Sequence, residues 1–114
     1  AKVYGEEFEG LDLVLPFEPE YAKHSYHLYS VRVDAKKRDF VVEGLNEEGV
    51  QARVYYPVPI HLQPSYRDFG FVEGDFPIAE KVAKEVFSLP VHPALSEEDV
   101  SYVVEKVKKI LNKA

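Results

Sequence analysis

The sequence predicts an α+β fold: a small, mainly antiparallel sheet with helices packed on one face. Three observations predict it. His24–Val33 and Val50–Tyr55 alternate their side chains with the two-residue period of a half-buried strand. Behind Ser96, the residues Val100, Val103, Val104, Val107 and Leu111 recur at helical spacing, the clearest amphipathic helix in the chain. The segments run strand, helix, strand, helix, short strand, helix, and the economical packing of such a series is one sheet covered by helices. A chain of 114 residues holds one domain, 1–114, or one piece of a larger protein.

Taken in order, Ala1–Gly10 has Val3, Tyr4 and Phe8 at helix-like spacing, no capping residue ahead of it, and Gly10 as a stop. It reads as the last turns of a helix whose beginning lies upstream. Leu11–Leu15 is a short edge strand or extended lead-in ended by Pro16, and a loop follows to Lys23. In His24–Val33, Tyr26 and Leu28 share one face, while His27, Tyr29, Val31 and Val33 share the other. Asp34 caps a helix over Lys36–Glu48 with Phe40, Val41 and Leu45 at helical spacing and Gly49 as its stop. Gly44 inside that helix costs roughly 1 kcal/mol relative to Ala, so the helix needs tertiary support.

Val50, Ala52 and Val54 then alternate with Gln51, Arg53 and Tyr55. Pro57, Pro59 and Pro64 remove backbone donors, so the chain leaves the sheet edge as a stiff, non-helical arm. Ser65–Gly74 is turn-rich. Asp75 and Pro77 open a helix with Ile78, Ala79, Val82, Ala83, Val86 and Phe87 as its apolar stripe. Ser88–Pro93 is a short extended segment. Ser96 and Asp99 form a capping box, with Glu97 and Glu98 at the positive end of the helix dipole and four lysines at the other end.

The hydrophobic content of 46% supports a packed core, and the net charge of −6 argues against nucleic-acid or acidic-membrane partners. No apolar run approaches the roughly 18 residues of a membrane span, and no signal-peptide pattern opens the chain. The absence of cysteine removes disulfides and thiolate metal sites. A cytoplasmic protein is the default expectation, and abundant Glu, Lys and Val without Cys or Met lean toward a thermophile composition.

His24 and His27 have an H-x-x-H spacing, but on a strand residues three apart point to opposite faces, so no metal ligand set is expected. Glu47/Glu48 and Glu97/Glu98 are sequence neighbours that do not face each other on a helix, which makes them poor acid–base pairs. No nucleophile elbow, P-loop or dinucleotide fingerprint is present. The arm is the exception. Tyr55, Tyr56, His61 and Gln63 on a proline-stiffened segment suit hydrogen bonding to a polyol or a carboxylate; packing of both tyrosines on the two faces of the sheet explains them equally well.

RVYYPVPIHLQPSYRDFG, followed by EGDFPIAEKVAKEVFSLPVHPALSEEDV and preceded by HSYHLYSVRV, resembles the C-terminal part of the DegT/DnrJ/StrS family. Its most specific piece is Y-P-x-P-x-H-x-Q-P ahead of the D-F-P-x-A-E helix start. Members are pyridoxal-phosphate-dependent aminotransferases that act on keto sugars attached to nucleotides. The resemblance implies the small C-terminal domain of a fold-type-I aminotransferase, whose large domain holds the cofactor on a lysine. That large domain, with its cofactor-binding Asp and Schiff-base Lys, would lie before residue 1. Tyr56 and His61 match family positions near the sugar substrate, and Tyr55 stands where relatives often carry His; these three are the implied substrate-binding residues. No lysine here falls in a motif matching the Schiff-base site. Transamination requires an imine at that lysine, so the resemblance implies no catalytic or cofactor-binding residue in this chain, and no activity alone.

The implied partners are a large pyridoxal-phosphate domain or second subunit and a keto-sugar nucleotide. A reading of another class is a stand-alone, non-catalytic binding or interaction module derived from that domain. Without the large domain, Tyr55, Tyr56, Pro57, Ile60 and Leu62, with nearby Phe69 and Phe71, would be bared, and either reading expects self-association into a homo-oligomer or capture of a partner.

Overall fold

A computed structural model describes residues 1–114. Helix α1 spans Lys2–Glu7, strand β1 Tyr29–Arg32, helix α2 Ala35–Glu47, helix α3 Pro77–Glu85, strand β2 Val86–Leu89 and helix α4 Glu97–Lys113. The arm between α2 and α3 carries two 3₁₀ turns, Ile60–Leu62 and Pro64–Phe69.

The sheet is smaller than the alternation predicts. β1 and β2 pair antiparallel, with Tyr29 opposite Leu89 and Arg32 opposite Val86. The other two extended segments each touch it at one residue: Val14 bridges Arg32, and Arg53 bridges Ser88. Burial still alternates at both, with Val50 and Ala52 buried and Gln51 and Arg53 exposed. The period is therefore that of one chain face lying on the core, and Pro57 halts ladder formation just past the bridge.

β1 is also shorter than His24–Val33. Tyr26 adopts φ +51, the left-handed region, which breaks the extended run before Tyr29. Its backbone N–H donates to His24 Nδ1 at 2.8 Å and its ring stacks on His24 at 4.2 Å, so the first histidine serves a local bend. No group of three His, Asp or Glu side chains converges to hold a metal ion. Of the face read as shared, Tyr29 and Val31 of β1 and Val33 just beyond it are buried, while His27, between the bend at Tyr26 and the strand, is exposed.

One core joins this sheet face to the helices. Val41 and Leu45 of α2 and Val103, Val104, Val107 and Ile110 of α4 pack with Phe87 and Leu89. α1 closes one end with Tyr4 and Phe8, stacked at 5.4 Å. Gly44 explains itself here: a Cβ at that position would sit 3.2 Å from Ile110 Cδ1 and 3.3 Å from its Cγ2, so the missing side chain lets α2 and α4 meet. Asp34 caps α2 by accepting from Lys36 N, and Ser96 and Asp99 form the reciprocal box of α4.

The third helix departs most from expectation. It ends at Glu85, and Val86 and Phe87 belong to β2. Arg38 of α2 donates from Nη1 to the carbonyls of Ala83 and Val86, which holds the helix-to-strand turn open. Asp75 does not cap α3; its carboxylate accepts from Val72 N in the preceding turn. No helix is long and apolar enough to cross a membrane.

Candidate functional site

The arm leaves the sheet at Arg53, bends at Pro57 and Pro59, and winds back through its two 3₁₀ turns to Gly70, whose φ of +82 closes the second. Gln63 Nε2 donates to Val58 O at 3.4 Å across the first bend. Between arm and α3 lies an open groove of about 970 Å3. Tyr56, Val58 and Ile60 form one wall and Phe69, Phe71 and Phe76 another, over a floor of Ala79, Val82 and Val86. Tyr56, Ile60 and Phe69 are each more than 60% exposed, so an aromatic and aliphatic surface stands open to solvent.

The polar centre of the groove is His61. Its ring is buried, edge-on to Phe76 at 4.8 Å and to Phe71 at 6.4 Å. Its Nε2 lies 3.2 Å from Oε2 of Glu80, itself buried on the first turn of α3. The same carboxylate accepts from Gly74 N at 2.8 Å, in the preceding turn, and from Phe76 N at 3.0 Å, the N-cap donor that the helix start would otherwise leave unpaired. Glu80 therefore does what Asp75 was expected to do, and also ties the arm to the helix. The Gly74 N–H bond foremost, then those from Phe76 and His61, hold its carboxyl below the usual glutamate range against the opposing effect of burial.

The three residues expected to bind substrate do not share one cleft. Tyr56 and His61 line the groove together. Tyr55 faces the other side of the extended backbone and lines a separate cavity of about 250 Å3 with His27, Arg53 and Pro90. Glu80 is the residue that sequence reading missed. Its signal was the D-F-P-x-A-E start itself, an acidic residue in the first turn of a proline-opened helix.

No lysine or arginine lines the groove. Lys106 pairs with Glu48 at 3.5 Å and sits 5.1 Å over the Tyr102 ring; Lys108 and Lys109 pair with Glu7 and Glu48. The groove's residues thus do not fit pyridoxal phosphate, which needs an amine for its aldehyde and donors for its phosphate.

The sequence profile of the DegT/DnrJ/EryC1/StrS aminotransferase family matches residues 1–108. The chain belongs to this family. A pleiotropic regulatory protein of Geobacillus stearothermophilus is 47% identical over 102 residues, which cover 90% of this chain and 27% of that protein. The UDP-N-acetyl-3-dehydro-alpha-D-glucosamine 3-aminotransferase of Acidithiobacillus ferrooxidans is 34% identical, over 96% of this chain and 28% of its own. The structure of S. venezuelae DesV in complex with a ketimine intermediate superposes with a TM-score of 0.92 at 31% identity, covering 99% of this chain and 30% of DesV. The family member's chain thus spans less than a third of the length of the relatives it matches.

Proposed function

We propose that this chain acts as the small domain of a pyridoxal-phosphate-dependent aminotransferase for keto-sugar nucleotides. It supplies substrate contacts to a catalytic centre whose cofactor and lysine belong to a large domain or second subunit. The observation that carries this reading is the groove. It is apolar, open, built on the family's most specific motif, and without an amine of its own. Tyr56 offers a hydroxyl at its rim and His61 a ring nitrogen in its floor, as a sugar ring placed between two domains requires. The exposed aromatic wall is where the remaining two thirds of such an enzyme would sit. Tyr55 lies outside the groove and on this reading contacts the nucleotide end of the substrate or nothing.

On this reading the chain alone is inactive. Purified chain mixed with pyridoxal phosphate and reduced with borohydride should show no stoichiometric label at any single lysine; saturable labelling of one lysine would end the proposal. In a full-length relative, replacing the residue that matches Tyr56 by Phe should lower sugar turnover while the melting temperature holds. Loss of stability without a kinetic defect would return Tyr56 to packing.

The same exposed groove favours a second reading, a non-catalytic interaction module derived from that domain. An upstream coding segment bearing the cofactor lysine supports the first; an independent start for this chain supports the second.

A further inference from the structure

We propose that Glu80 is a positioning residue: it takes the Nε2 proton of His61 as a hydrogen bond and so leaves Nδ1 bare toward the groove, as an acceptor. Three observations lead there. Glu80 already accepts from two backbone donors, Gly74 N and Phe76 N, and an ionised carboxylate has no proton to give. The one proton between Glu80 Oε2 and His61 Nε2 at 3.2 Å therefore belongs to the imidazole. Neutral imidazole carries one proton, so Nδ1 keeps its lone pair. Nδ1 has no hydrogen-bond partner in the protein, yet no buried side-chain nitrogen or oxygen is left unpartnered. It must reach the solvent-filled space beside the ring, and the ring lines the groove. Phe71 and Phe76, edge-on to the ring, hold it in that orientation.

The consequence is a chemical preference. A groove with an acceptor in its floor takes ligands that donate, such as hydroxyls or amide N–H groups. It disfavours a carboxylate or phosphate oxygen at that point, since both offer only lone pairs. Of the two ligand classes open to the arm from its residue types, polyol and carboxylate, the geometry selects the polyol. The identity of that polyol as a sugar rests on the function proposed above; the tautomer does not.

The test uses the whole chain, labelled with 15N, at pH 8, without sugar or cofactor. Long-range proton–nitrogen correlation reads which ring nitrogen of His61 carries the proton, with the resonance assigned by its loss in His61→Gln. The expected result is Nε2 protonated and Nδ1 bare. Glu80→Ala removes the acceptor that faces both Phe76 N and Nε2, so the preference for Nε2–H should weaken and part of the population should carry its proton on Nδ1. A folded Glu80→Ala whose Nε2–H population equals that of the native chain overturns the proposal. If that variant does not fold, the native spectrum decides: a proton on Nδ1, alone or together with Nε2, overturns it. Because neither measurement involves an aminotransferase substrate, failure here and failure of the proposed function are separable.

Discussion

Tyr4 carries a hydroxyl into the core and finds one acceptor for it, the Pro90 carbonyl at 2.8 Å. Burial foremost, then the neighbouring Tyr29, pushes its pKa up to about 12. The sign follows: its proton is held more tightly in the folded chain, so this contribution is intact below about pH 10 and is lost as pH rises toward 12. Burial also raises Tyr29, so spectrophotometric titration should show two tyrosines ionising late, and Tyr4→Phe should remove one of them while costing about 1 kcal/mol for the lost bond. Glu80 behaves oppositely. Its depressed carboxyl stabilises the fold above the ordinary glutamate range, and the contribution is lost as pH falls through the lower folded value. Acid unfolding followed by circular dichroism should be shallower in Glu80→Gln than in the native chain, although Glu48 and Asp99, also depressed, keep part of the slope. An unchanged acid limb would mean that Glu80 is not held by these bonds. At this scale the sequence was legible for residues whose work is local, such as Asp34 and Ser96. It was silent about Glu80, because His61 lies 19 residues away and only the fold brings the two together.

Among the elements, α4 was the most legible, since its cap, its stripe and its terminal lysines all lie within one continuous segment. Ser96→Ala should cost about 1 kcal/mol in urea denaturation, the ordinary price of an N-cap. The contact between α2 and α4 gives a sharper expectation. At an open helical site Gly→Ala gains about 1 kcal/mol; at Gly44 the new methyl meets buried Ile110, so Gly44→Ala should gain less than that or lose. The pair Gly44→Ala with Ile110→Val should recover part of the difference, and strict additivity of the two changes would remove Gly44 from the interface. The boundary of α3 was not legible. Ile78 through Phe87 keeps helical spacing throughout, but Arg38 and the pairing with β1 convert its last two apolar residues into strand. Those partners lie more than 40 residues away in sequence. The same holds for Val50–Tyr55, whose alternation reports which face is buried and not how many ladder bonds form.

For the molecule as a whole, the groove is an opening of about 970 Å3 with exposed apolar side chains along its walls. The isolated chain should associate as its concentration rises, read by sedimentation velocity. Ile60→Asp and Phe69→Asp, both on exposed side chains, should restore a single slow species without unfolding the core. A monomer at all concentrations would show that the arm's polar groups suffice to keep this face wet. Family membership was legible from the arm and the α3 start, since that signal is a run of residue types in order. Which of Tyr55, Tyr56 and His61 face one another was not, because it depends on the backbone turn between neighbouring tyrosines.

The two single-residue bridges have a further effect. Val14 exchanges both backbone hydrogen bonds with Arg32 on the outer side of β1, and Arg53 does the same with Ser88 on the outer side of β2. Each rim of the miniature sheet is thus shielded by irregular chain, and a proline follows soon after on both sides, at Pro16 and Pro57. Each rim offers a neighbouring molecule only a short stretch of free ladder, which disfavours fibril growth by strand addition. Whatever clumping the open aromatic face drives should remain amorphous, dispersible by mild detergent and dark to amyloid dyes.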